Sequence, residues 1–365
     1  MNIGDADDTP AASDMDAVDP PTRRTLPVHA LPSGTRIRDY QIIGLLGEGG
    51  FGIVYLATDV MLERAVAVKE YLPTSIAGRA PGTLDVAVRV PRDRETFDLG
   101  MKSFVNEARL LARFDHPALL KVLRFWEENG TAYMAMPFYE GRTLQRVFER
   151  LGRPPDEAEL RAWLWPLLDA LQVLHTAQCF HRDIAPDNIL ITAGGPLLLD
   201  FGAARRVIGD AQRTLTVVLK PGFAPIEQYG ESGDLHQGAW TDIYALAGVL
   251  YAAITGRRPV PAAGRLMEDH MLCVRESAAG RYSEAFLQAI DMSLALRPRD
   301  RPQSIAEFRM LLDGRAKARL PPVTAPVEDT VPRTPREAID ESGVDLLVDM
   351  PDTVAAPPKA PVPAS

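Results

Sequence analysis

Cysteine is nearly absent from this chain: only Cys179 and Cys273 occur in 365 residues. Two cysteines cannot staple a small secreted fold, and their scarcity fits a reducing, cytoplasmic setting. Long apolar runs are missing too. The best candidate, residues 244–255, is about half the length of a membrane span and reads instead as a buried core helix, so no membrane span is expected. No basic segment followed by an apolar one opens the sequence, so no secretory signal is read there. Positive charge is not in excess: 40 Lys and Arg face 49 Asp and Glu, for a net charge of -9. Such a chain gains no affinity for nucleic acid from counterion release, which argues against DNA or RNA as partner. No internal repeat is visible.

The two ends differ from the middle. Residues 1–21 carry only aspartates as charges (Asp5, Asp7, Asp8, Asp14, Asp16, Asp19), mixed with Ala, Ser and Pro. A stretch of this kind cannot bury enough apolar surface to offset the entropy of ordering. Residues 315–365 are rich in Pro, Ala and Val and read as an extended tail. Within that tail, residues 344–350 mix acids with Val344, Leu346, Leu347 and Met350. They read as an unpaired segment, with a docking motif for a partner as the sharper alternative. The expected division is an acidic N-terminal segment 1–35, a small lobe 36–139, a large lobe 140–314 and a tail 315–365.

The whole chain is 46 % apolar, and its middle shows clear periodicity. Residues 40–46 and 53–57 read as strands around the glycine turn Gly47-Glu48-Gly49-Gly50-Phe51-Gly52. Residues 65–69 form a further strand, and 83–90 alternate Leu84, Val86, Val88 and Val90 as a strand with one buried face. Residues 97–114 have helical spacing. Residues 119–126 and 132–136 flank Asn129-Gly130, a hairpin signal. Farther on, Leu160, Trp163, Leu164, Leu167, Leu168, Leu171 and Leu174 form one helical stripe, which Pro166 should kink. A sheet-rich front and a helix-rich back imply a segregated α+β fold.

The chemistry lies in four places. Gly47-x-Gly49-x-x-Gly52-x-Val54 lets backbone amides approach phosphate without a Cβ in the way. A strand, not a helix, follows these glycines, which disfavours a dinucleotide-binding fold. Val66-Ala67-Val68-Lys69 sets a cation on the neighbouring strand. His181-Arg182-Asp183-Ile184-Ala185-Pro186-Asp187-Asn188 follows the long helix, and residues 197–199 lead into Asp200-Phe201-Gly202. Asp183 can take a hydroxyl proton, while Asn188 and Asp200 offer the hard oxygens that Mg²⁺ prefers. A zinc site would need more His or Cys at ligand spacing.

Taken together and in this order, these motifs resemble the protein kinase superfamily over about residues 40–312. Ala224-Pro225-Ile226-Glu227, Asp242 in Trp240-Thr241-Asp242-Ile243-Tyr244, and Arg301 in Arg299-Asp300-Arg301-Pro302 extend the likeness toward kinases of protein substrates. Lys69-Glu70-Tyr71-Leu72-Pro73 and Ala224-Pro225-Ile226-Glu227-Gln228-Tyr229 look like bacterial, eukaryotic-like serine/threonine members. The resemblance implies a two-lobed fold, a β-rich small lobe and a helical large lobe. It implies ATP and Mg²⁺, transfer to Ser or Thr of protein substrates, and autophosphorylation. It also implies roles: Lys69 paired with Glu107 on the α/β-phosphates; Leu46, Gly47, Glu48, Gly49, Gly50, Phe51, Gly52, Val54, Ala67, Met136, Pro137, Phe138, Tyr139 and Leu190 around the nucleotide; Asp183 as acid/base; Asn188 and Asp200 on metal. Glu227 should pair with Arg301, and Asp242 should brace the catalytic loop.

Three features depart from the family. The interval from Lys69 to Glu107 is long and holds the extra 83–90 strand, read as a small-lobe embellishment or, alternatively, a partner contact. Ala185 stands where serine/threonine kinases carry a lysine. Lys220-Pro221-Gly222-Phe223 stands where a threonine is expected, which makes Lys220 a candidate to supply the missing cation. Thr214 and Thr216 are candidate phosphosites, with Arg182 as the group that would bind the phosphate. The alternative to an active enzyme is a pseudokinase scaffold that binds nucleotide without efficient transfer.

Overall fold

A six-stranded antiparallel sheet forms the first lobe. The computed structural model describes residues 29–200, 219–230 and 236–316, all within the unit Met1–Pro321. The sheet strands are β1 (Arg36–Ile37), β2 (Tyr40–Gly49), β3 (Gly52–Asp59), β4 (Arg64–Tyr71), β7 (Arg124–Glu128) and β8 (Thr131–Pro137), in the order β1-β2-β3-β4-β8-β7. The glycine turn joins β2 to β3, with Gly49 paired to Gly52. Asn129 and Gly130 join β7 to β8, both with positive φ, the conformation that a two-residue hairpin turn demands. The strand expected over 119–126 is shorter and later, because its first residue is engaged elsewhere: Leu119 bridges to Leu198 of the other lobe.

Register sorts the side chains of this sheet. Ile53, Glu70 and Tyr133 stand opposite one another, as do Tyr55, Val68 and Ala135. These six, with Ala57 and Val66, form one face, and none has any solvent exposure. Residues at alternate positions belong to the other face: Val54 opposite Lys69 opposite Met134, and Ala67 opposite Met136.

The long interval after Lys69 explains the sealed face. β5 (Ala77–Arg79) and β6 (Val86–Val88) form a separate two-stranded ribbon. From it Arg79 makes two bonds to the Glu70 carboxylate, 2.8 and 2.7 Å, and donates to the carbonyls of His29 and Leu84. Tyr55 and Tyr133 donate to the same carboxylate at 2.7 and 3.0 Å, and the Leu31 amide donates to the Tyr55 hydroxyl. The expected embellishment is thus real, and its polar anchor is internal. Helix α1 (Arg94–Leu111) follows; Phe97 and Phe104 pack on Tyr71 with centroids 5.2 and 6.0 Å away.

The second lobe is helical. β9 (Gly141–Thr143), β10 (Ile189–Thr192) and β11 (Gly195–Leu198) make a small sheet. Around it lie α2 (Leu144–Leu151), α3 (Glu157–Thr176), α4 (Ala239–Thr255), α5 (Ala262–Met267), α6 (Val274–Ser277), α7 (Glu284–Ser293) and α8 (Ile305–Leu312). α3 opens on a reciprocal cap between Asp156 and Glu159, 2.7 and 2.8 Å, and continues across Pro166 as one helix. The apolar stripe of α3 is buried except for the half-buried Trp163, and so are most residues of α4, as its composition requires. Among the described residues no helix is long and apolar enough to cross a membrane.

Candidate active site

The cleft face of the sheet gathers Val54, Ala67, Lys69 and Met136, as the register dictates. β8 ends at Pro137; Phe138 and Tyr139 lead on toward β9, and Leu190 lies opposite Thr143 in the second sheet. The glycine turn presents open backbone. A Cβ at Gly47 or Gly50 would meet nothing within 4 Å, and one at Gly49 would only touch the Gly52 carbonyl. Gly52 is different: a Cβ there would come within 2.1 Å of the Glu70 carbonyl. It is required by the close approach of β4, whatever the turn binds. Leu46 and Glu48 are partly exposed along β2.

Lys69 is the electrostatic centre. Its ammonium lies 2.6 Å from Asp200 Oδ1 and 3.5 Å from Glu107 Oε1, so one cation ties β4 to α1 and to the end of β11. Burial alone would lower its pKa, but Asp200 and then Glu107 outweigh burial and the net shift is upward. Asp200 answers in kind: burial pushes its pKa up, Lys69 and then Lys220 pull harder, and the carboxyl is held below its usual range. It is ionised in any ordinary buffer.

The catalytic-loop residues are fixed from beneath. Asn188 Nδ2 donates to Asp183 Oδ2 at 2.6 Å and to the Asp183 carbonyl at 2.9 Å. Asp242, fully buried in α4, accepts from the His181 amide (2.9 Å) and the Arg182 amide (2.7 Å), and sits 2.8 Å from His175 Nε2. Arg182 has φ +65°, a left-handed conformation that a side chain this large adopts only under restraint. The restraint is visible: Asp242 holds its amide and Gln228 Nε2 donates to its carbonyl at 2.8 Å. His181 is buried with Nε2 2.8 Å from the Leu199 carbonyl and Nδ1 facing the Asp183 amide at 3.4 Å. Burial lowers its pKa below the ordinary 6.5, so it is a neutral imidazole that donates through Nε2.

Of the expected pairs, Glu227 and Arg301 meet at 2.7 Å, both side chains fully buried, and Thr241 Oγ1 donates to the same carboxylate oxygen. Lys220 lies within the cluster, near Asp183 and Asp187. Thr214, Thr216 and residues 344–350 lie outside the described residues. Sequence reasoning missed Glu70, His175 and Gln228 as positioning residues. Only Glu70, an acid inside an apolar strand, gave a signal. Among the described residues no cluster of three or more His, Cys, Asp or Glu could hold a metal ion. The expected metal-binding pair, Asn188 and Asp200, is instead an amide and a single carboxylate, oxygen donors of the kind Mg²⁺ prefers.

A two-lobed fold with a lysine–carboxylate centre and an Asp–Asn loop across the cleft defines the phosphotransfer class. The protein kinase domain family matches residues 40–309, and the chain belongs to it. A solved structure described as the PpkA-294 apo form is 49 % identical, with a TM-score of 0.72, covering 78 % of this chain and 99 % of that one. Serine/threonine-protein kinase F of Synechocystis sp. is 30 % identical over 75 % of this chain and 55 % of its own length. Serine/threonine-protein kinase PknK of Mycobacterium tuberculosis is 30 % identical over 80 % of this chain and 25 % of its own. The chain therefore spans about half, or less, of the length of these curated relatives.

Proposed function

We propose that this chain transfers the γ-phosphate of ATP to Ser or Thr hydroxyls of protein substrates, its own included. The observation that carries the reading is the double grip on the cleft: Lys69 between Glu107 and Asp200 on one side, Asp183 held by Asn188 on the other. In the proposed reaction the substrate oxygen forms a bond to the γ-phosphorus, the bond to the ADP oxygen breaks, and the hydroxyl proton passes to Asp183. Lys69 orients the α/β-phosphates, the open glycine turn covers them, and Val54, Ala67, Leu190 and Met136 enclose the base, with Pro137, Phe138 and Tyr139 as the hinge. Asn188 and Asp200 would hold Mg²⁺, which neutralises phosphate charge. Catalysis in this reaction class is mostly positioning and electrostatics, so these groups have no spare.

A pseudokinase scaffold remains the second reading in name only, because each group that such a protein lacks is present: Lys69, Glu107, Asp183, Asn188 and Asp200. Dependence on ATP and two free thiols, Cys179 and Cys273, support a cytoplasmic setting. The test is phosphoryl transfer by the purified chain with Mg-ATP. Lys69→Met, Asp183→Asn and Asp200→Ala should each lower it by several orders of magnitude with the fold kept. Full activity in Asp183→Asn, in a preparation free of other kinases, would reject the assignment.

A further inference from the structure

Two departures from the family pattern meet at one point in space. Ala185, two residues after Asp183, is a buried methyl group with no charge to offer. From the opposite side, Lys220 Nζ lies 2.7 Å from Asp187 Oδ1 and 3.9 Å from Asp183 Oδ2, with its side chain 18 % exposed. A lysine on a solvated loop would show neither the burial nor the pair of carboxylates.

The backbone that presents Lys220 is built to do so. Its carbonyl accepts from the amides of both Phe223 and Ala224 at 3.0 Å, closing a tight turn. Gly222 within that turn has φ +88°, and a Cβ there would come within 2.5 Å of the Pro259 carbonyl. The turn is thus pressed against the loop after α4, in a conformation that only glycine takes without strain. Phe223 and Ala224 are buried below it. Farther on, Gln228 grips the Arg182 carbonyl and Glu227 is locked to Arg301. The segment 220–228 is therefore fastened to the catalytic loop and to the large-lobe core at three separate points.

We propose that Lys220 is a catalytic residue: its ammonium contacts the transferring γ-phosphoryl group beside Asp183 and replaces the cation absent at position 185. The inference rests on the phosphotransfer reading above. A lysine has four methylenes and three donors, so it can keep Asp187 and still reach a phosphoryl oxygen near Asp183. Lys220 keeps its protons throughout; the substrate proton goes to Asp183, and the ammonium only balances the charge that spreads over the phosphoryl oxygens. The Lys220–Asp187 pair then serves as a tether that orients the ammonium. The downward pull of Lys220 on the Asp200 pKa agrees with its place in the same field.

The test uses the full chain with Mg-ATP and casein as protein acceptor, reading kcat and KM for ATP by ADP release. Lys220→Met, which keeps the stem and removes the charge, should lower kcat by about 10²-fold. KM for ATP should change by less than about threefold, because the contact strengthens in the transition state. Lys220→Arg, or Ala185→Lys added to Lys220→Met, should recover about tenfold or more, since either returns a cation to the site. Wild-type kcat in Lys220→Met overturns the proposal. So does a loss that neither cation-restoring variant relieves, which would make Lys220 a purely structural residue. Asp183→Asn separates the two readings: if wild type and Asp183→Asn turn over equally, the phosphotransfer assignment fails first and this inference with it.

Discussion

Asp242 and His181 show how single buried groups that never touch substrate set the geometry around Asp183. Asp242 is held below its ordinary 3.8: burial opposes ionisation, but the bond to His175, the nearby His181 and the Arg182 amide outweigh it. A depressed carboxylate pKa gives stability that is present above the unfolded value and lost as pH falls through the folded one. His181 is depressed too, by burial, from 6.5. The unfolded chain then binds a proton that the fold refuses, so stability also falls as pH drops below 6.5. Both groups have the same sign in separate windows. Chemical unfolding should give a stability that is flat between about pH 7 and pH 8, declines from pH 6.5 downward and declines again below pH 4. The first decline should shrink in His181→Gln; an unchanged profile there would assign it to other groups. Asp242→Asn replaces one acceptor oxygen by an NH2 donor facing the donors at Arg182 or at His181 and His175, and should cost about 3 kcal/mol or more while slowing transfer through Arg182 and Asp183.

The ribbon β5–β6 carries a comparable burden. Arg79 is 8 % exposed and Glu70 fully buried, and the pair seals the outer face of the sheet that carries Lys69. Arg79→Met would leave the carboxylate buried with only phenol donors, and should destabilise the chain by about 3–5 kcal/mol in denaturant titration. Adding Glu70→Gln to Arg79→Met should recover part of that loss; no recovery would mean that Arg79 acts by packing alone. This ribbon also marks the limit of what pattern shows. The alternation Leu84, Val86, Val88, Val90 announced a strand over 83–90 with one buried face; only Val86–Val88 pairs, and of the four only Val86 is buried. Its partner Ala77–Arg79 is three residues long and has no periodicity to read. The glycine turn, Lys69, Asp183, Asn188 and Asp200 were legible because their chemistry needs fixed residue types at fixed spacing. Gln228 and His175 were not, because a hydrogen bond to a carbonyl or to a buried carboxylate is made by three-dimensional approach and leaves no local pattern. Gly52 has a second reason that no motif shows: the sheet needs it, because a Cβ there would meet the Glu70 carbonyl.

The links that cross between the lobes make nucleotide binding measurable as a property of the whole chain. Residues 138–140 connect β8 to β9, the Leu198 amide bonds the Ala118 carbonyl at 2.9 Å, and Lys69 reaches Asp200 at 2.6 Å. By contrast each lobe is closed on itself, the large one by Glu227 and Arg301, whose guanidinium also lies 4.6 Å from the Tyr244 ring centroid. A ligand seated between sheet and catalytic loop touches both lobes, so it should stabilise them together. At a hundred times its dissociation constant, ATP with Mg²⁺ should add about 2.7 kcal/mol to unfolding. For a domain of this size that is a rise in Tm of several degrees, about 2–4 °C per kcal/mol. Asp183→Asn should keep the full rise, because the role proposed for Asp183 is on the hydroxyl and not on the nucleotide. Asp200→Ala should keep a rise with ATP alone and lose the added effect of Mg²⁺. Lys69→Met should lower the Tm without ligand, since Glu107 is 1 % exposed and loses its cation, and should also shrink the ligand-induced rise. These measurements need no substrate and no turnover, so they separate binding from transfer. A chain that shows the full rise but no phosphoryl transfer would be a nucleotide-binding scaffold. A chain in which Lys69→Met leaves the rise untouched would place the nucleotide elsewhere than in this cleft.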